Sequence, residues 1–111
     1  MITTEDLKQI VILTYLTDPM LDKLAKIIDI LKFDKEEVIF REKDPSERFY
    51  MLRFGKVLLE QRLSEHVTVS VGAIKPGFAF GWSALIENEA YTVDAVCDEP
   101  SEVFSFKREK I

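Results

Sequence analysis

Gly77-Phe78-Ala79-Phe80-Gly81-Trp82-Ser83-Ala84-Leu85 sets a turn, a short strand, a tight bend and a helical start end to end. Proline in the preceding Lys75-Pro76 presets one dihedral, and Gly77 accepts a positive φ that other residues resist. Phe78 and Phe80 flank Ala79 with the alternation of a strand, and Gly81 permits a sharp bend into Trp82-Ser83-Ala84-Leu85-Ile86, a short helical turn. Free amides at a helix start converge on such a bend, so it predicts a place for negative charge.

On both sides of this stretch the pattern is β-type. Ile30 to Phe33 and Val38 to Arg41 flank the charged turn Asp34-Lys35-Glu36-Glu37. Arg48 to Phe54 leads through Gly55 into Lys56 to Arg62, and Leu63-Ser64-Glu65 reads as a loop tip. From His66 to Val71 the alternation is strict, which predicts Val67, Val69 and Val71 on the core face. Tyr91 to Cys97 and Glu102 to Phe106 are two further strands, joined by Asp98-Glu99-Pro100-Ser101. About seven or eight short strands around one core imply a β-sandwich or a jelly roll (double-stranded β-helix), because half-buried faces on this scale close against a second sheet.

The N-terminal residues change period. Thr3 or Thr4, followed by Glu5 and Asp6, opens a helix with Leu7, Ile10, Val11, Thr14 and Tyr15 on one side. Thr17-Asp18-Pro19 opens a second, with Asp18 as N-cap and Pro19 in the first helical position. Its apolar face is Leu21, Leu24, Ala25, Ile28 and Leu31. The expectation is a mainly β (α+β) protein of one domain over 1–111: helices over 3–30, a roll over 31–106, and the start of a C-terminal helix over 107–111.

Composition narrows the function. A chain of 111 residues with net charge −5 has no overall attraction for nucleic acid or anionic lipid, so neither is expected as a direct partner. One cysteine, Cys97, excludes an intrachain disulfide and an all-cysteine metal site. One histidine, His66, cannot supply the several fixed ligands of a cupin-type metal enzyme. Serine and cysteine triads, P-loops and dinucleotide fingerprints are missing from the sequence, so no cofactor, metal or catalytic residue is expected. The N-terminus lacks the basic region of a signal peptide and no apolar run reaches the roughly 18 residues of a membrane span, which makes the cytosol the expected compartment.

Taken in order, the chain resembles the cyclic-nucleotide-binding domain family, the sensor module of catabolite-activator-type regulators and of cyclic-nucleotide-regulated kinases and channels. Leu16 to Leu21 resembles its leading helix. Glu37 to Asp44, followed by Phe49 to Val57, resembles its run of strand, acidic turn, aromatic strand and glycine turn. Ile74 to Gly77, Phe80-Gly81 and Ala84-Leu85 resemble the lead into its phosphate-binding cassette, and Thr92 to Ala95 the strand that follows. The resemblance implies a glutamate after Phe-Gly for the ribose, where this chain has Trp82. It also implies an arginine for the cyclic phosphate, and that place falls at Glu89, or at Ala90 in a shifted register. Between Lys75 and Lys107 there is no basic residue, while Glu87, Glu89, Asp94, Asp98, Glu99 and Glu102 are acidic. A phosphate that meets a carboxylate instead of a guanidinium loses a charge-assisted pair, so tight binding of cyclic AMP or cyclic GMP is not expected. Phe-Gly-Trp-Ser-Ala-Leu also resembles a divergent branch of regulators.

The candidate ligand-binding residues are therefore Phe80, Gly81, Trp82, Ser83, Ala84, Leu85, Glu89, Tyr91 and Thr92. Trp82 is read as core that fills a vacated pocket, with a stacking platform as the alternative. Ser83 is either a ligand donor or an N-cap, and Tyr91 either pocket wall or packing. Arg53, Lys56, Arg62 and Lys75 are read as solvated surface, and Cys97 as a buried structural thiol. Three functions follow: a non-catalytic regulatory module with an anionic or nucleotide-like small ligand and a protein effector, a ligand-free interaction module, or a small cupin-like enzyme. The family's long dimer helix would begin where this chain ends, so an effector would be a separate protein or lie in a longer chain. A homodimer is allowed for, through Phe49-Tyr50-Met51 or the first helix.

Overall fold

The computed structural model describes residues 2–86 and 89–110; Glu87 and Ile111, counted above among the acids and in the C-terminal turn, lie outside the described residues. The leading segment splits where one continuous helix was expected. Thr3 caps α1 (Thr4–Leu7) in a reciprocal box with Asp6, and a 3-10 turn follows at Val11–Tyr15. Leu7, Ile10 and Leu13 are buried while Val11 and Tyr15 face out, so the expected stripe survives only in part. The next helix, α2 (Asp18–Ala25), has Thr17 rather than Asp18 as its N-cap: the Thr17 hydroxyl accepts from the Met20 amide. Pro19 still lies in the first turn, where its missing N–H costs nothing. Ile28 and Leu31 lie past the end of α2.

Eight strands follow among the described residues: β1 (Asp29–Phe33), β2 (Val38–Phe40), β3 (Arg48–Phe54), β4 (Val57–Arg62), β5 (Thr68–Ile74), β6 (Ala79–Phe80), β7 (Asp94–Cys97) and β8 (Ser101–Lys107). They form two antiparallel four-stranded sheets, ordered β1-β8-β3-β6 and β2-β7-β4-β5. The fold is the mainly β roll that the sequence indicates. Between the sheets lie Phe40, Tyr50, Leu52, Val57, Phe80 and Tyr91.

The central strands of the first sheet, β3 and β8, are buried on both faces. Pleating alternates β3, so Tyr50 and Leu52 enter the space between the sheets while Phe49 and Met51 meet Leu7, Ile10, Leu13 and Leu21 of the helical layer. Phe49-Tyr50-Met51 is thus interior, contrary to its expected role as a self-association face. Arg53 is also not solvated surface. Its guanidinium bridges Asp6 of α1 at 3.2 Å and Glu102 of β8 at 3.1 Å, and lies over the rings of Phe54 and Phe104, tying the helical layer to the roll.

Of the three valines expected on the core face, Val69 is half-buried, while Val67 and Val71 face out. Leu59 pairs with Gly72 and Glu60 with Ser70, so Val71 is an extra bulge residue and points out, 53% exposed. Val67 precedes the strand in the hairpin tip, where its carbonyl accepts from the Leu63 amide. Cys97 is buried between the sheets and burial pushes its thiol up, as a structural cysteine requires. No helix among the described residues is long and apolar enough to cross a membrane.

Candidate functional site

The Gly77–Leu85 stretch folds much as its residues dictate. Gly77 takes φ 96, and its backbone closes on Leu52 of β3 through Gly77 N to Leu52 O at 2.8 Å. Phe78 lies outside the strand and half exposed, while Ala79 and Phe80 pair with Met51 and Tyr50. Gly81 then bends at φ 77, ψ 34 into a 3-10 turn over Trp82–Leu85. A Cβ at Gly81 would stand 3.0 Å from the Tyr50 ring and 3.3 Å from the Arg48 carbonyl, so a larger residue cannot enter without displacement. Four residues of 3-10 helix carry little aligned dipole, so the anion attraction expected at this bend is weak.

The nine candidate residues divide among several environments. Phe80 and Tyr91 belong to the core between the sheets, where Tyr50 stacks on Phe80 at 5.2 Å and Phe40 on Tyr91 at 3.7 Å. Trp82 does not fill that space. It stands edge-on to Phe49 at 4.9 Å and 70°, on the opposite side of the first sheet, and is 51% exposed. The turn sets its direction: Ala84, two residues on, enters the same helical layer and is fully buried. Ser83 is not an N-cap, since Gly81 occupies that position without a side-chain bond and Ser83 lies inside the turn. Leu85, Glu89 and Thr92 are exposed.

Tyr91 is packing with a structural hydroxyl. Its O–H donates to the Arg48 carbonyl at 2.6 Å and accepts from the Arg48 amide at 3.1 Å. Burial raises the phenols of both Tyr50 and Tyr91, so each stays neutral. The segment after the cassette is bound to the β2–β3 loop: Lys43 N donates to Tyr91 O at 2.8 Å, Tyr91 N to Asp44 O at 3.1 Å, and Pro45 bridges to Ala90. Behind it, Asp94 accepts from Glu42 N at 2.7 Å and from Arg41 at 3.5 Å.

Sequence reasoning overlooked Ser46. Its hydroxyl, fully interior, faces the carbonyls of Ser83 and Glu89, one before and one after the cassette loop, and its single proton is shared between them, the Ser83 contact at 3.1 Å. One side chain thus pins both ends of that loop. The available signal was the turn composition of Asp44-Pro45-Ser46. Beside this latch a groove of about 1180 Å³ opens between the cassette, the β2–β3 loop and the end of β8. Its apolar lining includes Pro45, Ala84, Leu85 and Ala90, and its charged lining includes Lys43, Glu47, Glu89 and Arg108. Of the nine candidates, only Ala84, Leu85 and Glu89 reach it. Among the described residues no group of three or more His, Cys, Asp or Glu side chains is placed to hold a metal.

With this geometry in view, the chain was compared with known proteins. The family model described as cyclic nucleotide-binding domain matches residues 30–111. Human cGMP-dependent protein kinase 2 is 33% identical over 82 residues, which is 70% of this chain and 11% of the kinase. The cAMP-dependent protein kinase regulatory subunit of Emericella nidulans is 34% identical over 67 residues, 60% of this chain and 16% of that protein. The chain therefore spans a small part of the curated relatives that it matches. Among solved structures, a Geobacter metallireducens protein described as cyclic nucleotide-binding superposes with TM-score 0.86 at 29% identity, covering 99% of this chain and 79% of that one. The regulatory domain of Toxoplasma gondii PKA, solved with cAMP, gives TM-score 0.83 at 20% identity over 96% of this chain and 41% of that one, a likeness of fold alone.

Proposed function

The chain belongs to the cyclic nucleotide-binding domain family, and on that premise we propose that it is a non-catalytic regulatory module whose cassette does not hold cyclic AMP or cyclic GMP tightly. The observation that carries this reading is at the cassette itself. The place where the resemblance implies a phosphate-binding arginine falls at Glu89, or at Ala90 in a shifted register, neither of them basic, and Trp82, turned onto Phe49, takes the place of its ribose-binding glutamate. A phosphate opposite the exposed Glu89 carboxylate lacks the charge-assisted pair that a guanidinium gives and meets like charge instead. The module would take a different small ligand, anionic or nucleotide-like, and pass its state to a protein effector in the cytosol.

Calorimetric titration with cyclic AMP and cyclic GMP tests the proposal. The expected result is no saturable binding tighter than about 100 μM. A micromolar dissociation constant for either nucleotide would overturn it. A second reading, an interaction module without any ligand, draws support from the rings of Phe40, Tyr50, Phe80 and Tyr91, which occupy the roll beneath the cassette. A thermal-shift panel of nucleoside phosphates and small anions separates the two: stabilisation by any member favours the sensor, and silence favours the ligand-free module.

A further inference from the structure

We propose that the free edge of β5 pairs antiparallel with β5 of a second copy of this chain, joining the two β2-β7-β4-β5 sheets across a two-fold axis. Among the described residues four strands end a sheet: β1, β6, β2 and β5. An edge exposes a row of backbone N–H and C=O groups, and proteins block it with shortness, charge or proline. β6 has two residues and β2 has three. β1 is longer but carries Asp29 and Lys32, both exposed. β5 differs from all three: Thr68-Val69-Ser70-Val71-Gly72-Ala73-Ile74 runs seven residues without a charge or a proline.

The surroundings of this edge select the occupant. The bulge bends β5, yet the residue that it turns out, Val71, is apolar, and Leu63 and Val67 in the hairpin tip are exposed as well. The nearest charges decide the orientation. Glu65 lies in the tip before the strand and Lys75 directly after it, equally far from Ser70 along the chain. Among the described residues Lys75 makes no ion pair, and Glu65 meets only the His66 ring, at 4.0 Å. Parallel pairing would set like charges together at each end. A two-fold axis near Ser70 instead brings Glu65 toward Lys75 of the partner subunit at both ends, so the segment is complementary to itself. A foreign strand would need the same uncharged middle and the same reversed pair of end charges, which a second copy already has. The edge of one strand is a small interface, so association on the order of 10–100 μM is expected.

Sedimentation of the chain over about 1–500 μM, at low salt where the end charges are least screened, reads the pairing. The expected result is a reversible monomer–dimer equilibrium that stops at the dimer, because a two-fold pair uses both free β5 edges. Val71→Lys is expected to weaken it at least about tenfold, since a lysine beside an edge opposes pairing. Glu65→Lys alone and Lys75→Glu alone place like charges at both ends and weaken it too. Combining them restores association, and an equimolar mixture of the two single variants associates more tightly than either alone. Both side chains are exposed, so the charge variants keep the fold and carry the test should Val71→Lys lose its circular dichroism. Amides of β5 should exchange more slowly as concentration rises, while those of β1 stay unchanged. A monomer at every concentration, a dimer indifferent to Val71→Lys, single charge variants that associate as well as the double one, or growth beyond the dimer would overturn the proposal. The inference does not rest on the regulatory reading: titration with cyclic nucleotides decides that one, whatever sedimentation shows.

Discussion

At the scale of single residues, Gly81 and Ser46 hold the cassette by different means. Gly81 occupies a left-handed dihedral in a space bounded by Tyr50, Arg48 and Phe40. Gly81→Ala is expected to cost about 1–3 kcal/mol, read as a lower urea midpoint at unchanged slope. Ser46→Ala removes the one proton that the Ser83 and Glu89 carbonyls share and is expected to cost about 1–3 kcal/mol. Its signature is local: amides of residues 83–86 and 89–90 should exchange faster in Ser46→Ala, while those of β8 change only with global stability. Equal acceleration throughout would show that Ser46 is ordinary core. Gly81 was legible in the sequence because Phe-Gly before a helical run leaves few conformations open. Ser46 was not, since its partners are 37 and 43 positions away in the chain.

At the scale of elements, the join between α1 and the roll is electrostatic as well as apolar. Hydrogen bonds from the Thr3 amide and hydroxyl hold the Asp6 carboxyl below its ordinary value, with Arg53 adding a smaller effect. A depressed folded pKa contributes stability that is present above the unfolded value and is lost as pH falls through the folded one. The loss therefore belongs to the range below about pH 3.8. Asp6→Asn is expected to lower stability at neutral pH and to flatten the acid limb of a melting-temperature profile; an unchanged limb would show that the box contributes nothing. The capping residues of both helices were readable within a position because capping is local chemistry. Arg53 was misread as surface because its acids come from α1 and β8, and Val71 of β5 as core because the bulge turns it outward.

For the whole molecule, the question is whether the roll retains room for a nucleotide. Glu89→Arg combined with Trp82→Glu restores the two residue types that the family resemblance implies, and is expected to tighten cyclic AMP binding more than about tenfold in calorimetry. No gain would mean that the rings beneath Gly81, rather than the charges, exclude the ligand. Phe80→Ala should cost about 3–5 kcal/mol, because the ring stacks on Tyr50 in the space between the sheets. Sequence sufficed for the roll and its strand succession, because turn residues and period-two alternation are properties of neighbours along the chain. Only the tertiary structure could say that Trp82 lies on the helical side of the first sheet and that Ser46 latches the loop. Those facts depend on which distant segments the two sheets bring together, and a strand's own pattern says which face is apolar without saying what will lie against it.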